Sequence, residues 1–136
     1  NAQIIQLRLK NLTRDRQIRE QNAMTYNSAF KDLPIQTPTV PFNVVHNWHK
    51  YTIIFKDKET RNKVKNKLNL SVHYETPLSE NSMYSAWSID YKKDDCVNSK
   101  QVADTILSLP VHAYLEQHEI ATLIKSIKES LQDASA

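Results

Sequence analysis

Residues 49–57 read HKYTIIFKD. The run alternates and is rich in β-branched and aromatic side chains, which suit a pleated surface. It predicts a strand over Lys50–Lys56. Asp57, a residue type that caps helices, follows directly. A helix is therefore expected over Lys58–Leu68, with Val64 and Leu68 as its inward pair.

Working toward the N-terminus, LPIQTPTVPF carries Pro34, Pro38 and Pro41 and reads as an extended segment. Before it, no proline interrupts a helical pattern from Ala2 to about Lys31. Ile5, Leu9, Leu12, Arg16, Arg19, Ala23, Tyr26 and Phe30 step by four and three residues, which keeps them on one face. That seam is apolar at both ends and carries arginines in the middle. Charges at core positions are costly in a coiled coil, so a helix crossing between two packing environments is the better reading.

Working toward the C-terminus, Leu70–Tyr74 reads as a second short strand, delivering His73 and Tyr74 into the proline-governed turn of SVHYETPLS (71–79). One helical turn is expected near Glu80–Tyr84, and SAWSIDY (85–91) gives either a third strand or a packed loop. Asn98 and Gln101 have the spacing of a capping box, before a helix that should stop ahead of Pro110. A last helix over Glu116–Gln132 carries Ile120, Leu123, Ile124, Ile127 and Leu131 on one stripe. The predicted class is α+β: a long N-terminal helix (1–33) and a body (34–136) whose small sheet of two to three strands is covered by helices on one face.

The chain has 136 residues, a single-domain length, with hydrophobic and charged shares of 40% and 24% that are ordinary for a globular protein. No apolar run approaches the roughly 20 residues that span a bilayer, and no stretch of these residues reads as a signal peptide. The lone Cys96 has no partner for an internal disulfide, so a cytoplasmic location is expected. Glycine is absent altogether, which excludes the glycine-rich phosphate loops, whose backbone must approach the ligand closely. Asn27, Asn47 and Asn69 are the candidates for turns with positive φ. The start at Asn1, inside a helical pattern, looks like the interior of a longer sequence.

Catalytic and metal chemistry find little support. His46-x-x-His49 lies at a strand entrance, where the two imidazoles do not converge, and no cysteine pair or acidic cluster completes a metal set. Cys96 sits among aspartates that would raise a thiol pKa. Asp94–Asp95 and Glu116/Glu119 read as loop and helix-start charges. The run from Lys56 to Lys67 reads as a solvated helix face rather than a nucleic-acid patch, because no aromatic residues interleave its cations. His73 and Tyr74 are left, serving either a core or a pocket.

Five collinear segments resemble the C-terminal domain of the DegT/DnrJ/EryC1/StrS family of pyridoxal-phosphate sugar aminotransferases. AQIIQLRLKNL resembles the family's opening helix, and Arg16, Arg19, Ala23 and Tyr26 match its R-R-x-x-x-A-x-x-Y stretch. Trp48, His49 and Tyr51 match its W-H-x-Y strand. His73, Tyr74, Pro77 and Leu78 match its H-Y-P-x-P-L-H segment. Ala103, Leu107 to Pro110, Glu119 and Ile120 match its ending. The departures are Ser79 in place of a second histidine, a missing glycine before the HY segment with a link about two residues short, Ile5 for a helix glycine, and Glu116 for a threonine cap.

The resemblance implies the small domain of a fold-type I aminotransferase, without the large domain that carries the cofactor lysine. It implies no catalytic residue here. It points to His73, Tyr74, Pro77, Trp48 and His49 at the edge of a nucleotide-sugar pocket, and to pyridoxal phosphate held by the full-length protein rather than by this chain alone. The expected partner is a second copy or the missing large domain. Nucleic acid and membrane are not expected. The alternative is a stand-alone, non-catalytic binding or assembly module that buries the Ile4/Ile5/Leu9/Leu12 face in a partner copy.

Overall fold

The computed structural model describes residues 2–83 and 96–133. The order is α1 (Ala2–Phe30), β1 (Ile35–Gln36), β2 (Tyr51–Phe55), α2 (Lys58–Lys67), a 3-10 turn at Leu78–Glu80, α3 (Val97–Thr105), β3 (Ile106–Leu109) and α4 (Gln117–Gln132). The three strands form an antiparallel sheet in the order β1-β2-β3, so β2 is central. This is the α+β architecture with a long leading helix that the sequence predicts.

Within β2, Tyr51, Ile53 and Phe55 are buried while Thr52 and Ile54 are half-buried. Register places Tyr51 opposite Leu109 and Ile53 opposite Leu107, so the buried residues of β3 share that face. Ala23, Tyr26 and Phe30 of α1, Val64 of α2, and Ile120, Ile127 and Leu131 of α4 join them in one core. Three helices thus cover one face of the sheet.

Helix α2 begins as its composition demands. Asp57 accepts a hydrogen bond from the Thr60 backbone N–H at 2.8 Å, and those bonds to the charged form hold its carboxyl below the usual carboxylate range. It ends in a Schellman motif: Leu70 N–H bonds to the Lys65 carbonyl, Asn69 N–H bonds to the Asn66 carbonyl, and Asn69 takes φ 49°. Asn69 therefore fills the glycine position of a helix end. Asn27 lies inside α1, and the second positive φ (51°) belongs to Trp48 rather than to Asn47.

Several expectations are corrected. Leu70–Tyr74 is not a strand: the turn at Asn69 redirects the chain, and the free edge of β2 is taken by Ile106–Leu109. That strand was expected to be the end of a helix reaching toward Pro110. Helix α3 instead stops at Thr105, where the alternation of Ile-Leu-Ser-Leu suits a strand better. The expected Asn98/Gln101 box does not form, because α3 starts two residues earlier, with Cys96 as an N-cap that makes no side-chain bond. The extended proline segment does contribute to the sheet. It supplies a two-residue edge strand between Pro34 and Pro38, about the most that two prolines permit. Glu116 does cap α4, and the Glu119 carboxylate accepts from the Glu116 backbone N–H at 2.8 Å. The SAWSIDY segment, Tyr84 and Asp94–Asp95 lie outside the described residues.

Two substitutions separate the buried face from the uncovered end of α1. Leu107→Ala should cost about 2–5 kcal/mol, because Leu107 is fully enclosed by the core. Leu9→Ala, on a side chain 60% exposed, should cost about 0.5 kcal/mol or less. Urea denaturation of both variants checks this, and equal losses would mean that the first half of α1 is packed.

Candidate functional site

Two surface features gather the residues singled out in the sequence. Trp48 itself is a core residue, 4% exposed. Its ring stacks on Tyr51 at 5.9 Å and meets the edge of His46 at 4.3 Å. Its backbone N–H donates to His46 Nδ1 at 2.9 Å, and its carbonyl accepts from Arg19 Nη1 at 3.3 Å. A bulky residue at φ 51° is strained by about 1–2 kcal/mol, which the stacking and the two bonds offset. The twist turns the indole inward and leaves Asn47 and His49 on the surface.

In the first, His49 and Asn47 face α1 across a cavity of about 400 Å³ lined also by Arg8, Leu12, Asp15, Arg16, Arg19 and Tyr114. Spacings of three and four residues put the five α1 side chains on one face of the helix. Arg16 is shared with Glu20 at 3.4 Å. Asp15 Oδ1 is buried without a hydrogen-bond partner, its nearest cation being Arg14 Nε at 3.9 Å.

The second is the segment 70–80, which carries His73, Tyr74 and Pro77. Tyr74 and Pro77, with Leu78, line a larger cavity of about 530 Å³ against Cys96, Val102, Ala103 and Ile106. Tyr74 is 73% exposed and His73 is exposed outside both cavities. Lys50, next to His49 in sequence, has its Nζ 4.7 Å from the centre of the Tyr74 ring.

The segment 70–80 is held chiefly by side chains. Leu70 and Val72 pack on the edge of the core. Lys65 Nζ bonds Glu75 Oε1 at 2.6 Å and Lys100 Nζ reaches Glu80 Oε1 at 3.0 Å. The Lys65 bond keeps the Glu75 carboxyl below its ordinary range, and the Glu80 bond pushes the Lys100 ammonium up. Thus the five candidates do not share a cavity: His49 lines one, Tyr74 and Pro77 line another, His73 lines neither, and Trp48 is in the core. Sequence reasoning noticed Arg16 and Arg19 in the helical seam. It missed Arg8, Asp15 and Tyr114 and offered Asn47 only as a turn candidate; the fold brings them to the same groove.

No cluster of metal-ligating side chains occurs among the described residues, and no helix there is long and apolar enough to cross a membrane. None of the described lysines is buried, so none has the desolvated amine that a carbonyl-trapping lysine uses.

Residues 1–128 match the model of the DegT/DnrJ/EryC1/StrS aminotransferase family. Over 128 residues the chain is 25% identical to the dTDP-3-amino-3,6-dideoxy-alpha-D-galactopyranose transaminase of Aneurinibacillus thermoaerophilus, covering 93% of this chain and 34% of that protein. Among solved structures it is similar to the aminotransferase TlmJ of Streptoalloteichus hindustanus, with TM-score 0.82 and 18% identity over 95% of this chain and 35% of that one. Helicobacter pylori PseC, an aminotransferase involved in the biosynthesis of pseudoaminic acid, gives TM-score 0.78 and 22% identity over 92% and 35%. These likenesses are of fold, and the chain spans about a third of each relative's length.

Because pairing with Lys65 depresses Glu75, the ionic hold on segment 70–80 is complete above the ordinary carboxylate range. It is lost as pH falls through the lowered value. Lys65→Met should return the Glu75 titration to an ordinary carboxylate value and speed amide exchange in residues 71–76. NMR pH titration reads both, and an unmoved Glu75 would show that the pair does not form in solution.

Proposed function

Since this chain belongs to the DegT/DnrJ/EryC1/StrS aminotransferase family, we propose that it is the smaller, C-terminal part of a nucleotide-sugar aminotransferase, acting in the cytoplasm and inactive by itself. The observation that carries this reading is the collinear family match over nearly the whole chain combined with its length, about a third of the relatives'. The described residues do not fit the cofactor of such an enzyme, because every described lysine amine is exposed or half-exposed. Pyridoxal phosphate, held by the remaining two thirds, supplies the electrophilic carbonyl to which an amino group is transferred.

What this chain's own residues do is shape and close the substrate pocket. Tyr74 offers one ring face to Lys50 and leaves the other for stacking on a flat or sugar ring. Pro77 and Leu78 form an apolar rim that displaces water, and exposed His73 and His49 serve as hydrogen-bonding groups at its edge. Trp48 acts from beneath: its buried indole and twisted backbone set where His49 and Lys50 emerge. Ser79, standing where the family's motif has a second histidine, is a shorter polar contact.

Two measurements test the proposal. The isolated chain mixed with pyridoxal phosphate should develop no imine absorbance and transfer no amino group; turnover by the chain alone would overturn the reading. In the assembled full-length enzyme, Tyr74→Ala should lower kcat/KM for the nucleotide sugar about two- to tenfold, the range of one lost ring contact, at unchanged cofactor occupancy. An unaltered kcat/KM would remove Tyr74 from the pocket.

A further inference from the structure

The first half of α1 presents a surface whose partner can be specified chemically. Ile4, Ile5, Leu7, Leu9 and Leu12 are 55–62% exposed on the first turns of α1, which no other described residues bury. At about 100° per residue, Ile5, Leu9 and Leu12 lie on the face that α1, three turns later, buries through Ala23, Tyr26 and Phe30 against the sheet. The face is continuous, so whatever covers it lies on the same side of α1 as this chain's own sheet.

That face is not purely apolar. Arg8 projects between Ile4 and Leu12 in angular position, and Arg16 and Arg19 continue the row into the groove beside His49 and Tyr114. Arg8 has no ion-pair partner among the described residues, and Arg16 makes only its 3.4 Å contact with Glu20. Residues 2–14 contain Arg8, Lys10 and Arg14 and not one acidic side chain.

Three occupants compete for such a face. A second copy would bring these cations against their own equivalents, and like charges at a desolvated contact cost several kcal/mol. A lipid surface wants its cations on the polar flank, not in the middle of the apolar stripe, where Arg8 stands. A protein surface with carboxylates set among apolar side chains satisfies both the stripe and the arginines, and a neighbouring donor would satisfy Asp15 Oδ1.

We propose that α1 residues 4–19 dock on an acidic, apolar protein surface belonging to the polypeptide beyond this chain, with a carboxylate opposite Arg8. This rests on the reading of the chain as one part of a longer aminotransferase, and adds the charge and side of its contact with the remainder.

The test uses this chain and two synthetic amphipathic helical peptides of equal leucine content, one with glutamates and one with lysines flanking the leucines. The expected result is a monomeric chain that binds the glutamate peptide with amide shifts confined to residues 4–19 and the groove. The lysine peptide and phosphatidylglycerol vesicles should not bind, and Arg8→Glu should weaken glutamate-peptide binding at least tenfold. Equal binding of both peptides, preference for the vesicles, or self-association through α1 would each overturn the proposal. Leu9→Asp separates the two readings. If it abolishes binding while Arg8→Glu does nothing, a covering partner stands and its acidity does not.

Discussion

Much of this structure hangs on a short row of stacked rings that ties α1 to the sheet. Phe30 stacks on Tyr26 at 5.7 Å, Tyr26 leans on Tyr51 at 5.0 Å, and Tyr51 stacks on Trp48 at 5.9 Å. Each tyrosine is anchored at its polar tip: Tyr26 donates to the Pro110 carbonyl at 3.0 Å, and Tyr51 to Asn27 Oδ1 at 2.6 Å. Burial pushes both phenols well above their ordinary pKa, so they stay protonated donors at any physiological pH. With its Pro110 anchor, the row joins three separated parts of the chain. It requires the second half of α1 to lie on the sheet and the Trp48 backbone to twist, and that twist places His49 and Lys50.

What could be read in advance follows from how local each signal is. The strand at Tyr51–Phe55, the Asp57 cap and the stripes of α2 and α4 depend on neighbours a few residues away, and they stand where the alternation and caps put them. The third strand was misassigned because its place is decided by competition for the edge of β2. Leu70–Tyr74 and Ile106–Leu109 both carry strand-like side chains. The Schellman turn at Asn69 removes the first from contention, and nothing within either segment reveals that.

The candidate site shows the same division. His73, Tyr74 and Pro77 were recognised as a motif, and segment 70–80 does present them at the surface. The groove beside His49 was legible only in part. Its α1 row has helical spacing, but Asn47 and Tyr114 join it through folding across some hundred residues of chain. Trp48 carried the family's motif yet lies in the core, because ring area of that size is worth more buried than displayed.

The length of α1 has a mechanical consequence. Its 29 residues form a rod about 43 Å long at 1.5 Å per residue, with neither proline nor glycine to act as a joint. Only the last turns are clamped by the ring stack, so roughly 25 Å of it overhangs as a cantilever. An uncovered overhang of that length frays in water, since an isolated helix this short is marginal. Once its free end is seated it becomes stiff, and pivoting by about 10° at the clamp sweeps the tip through about 4 Å, by simple leverage on that length. The aromatic row is then the fulcrum of that lever.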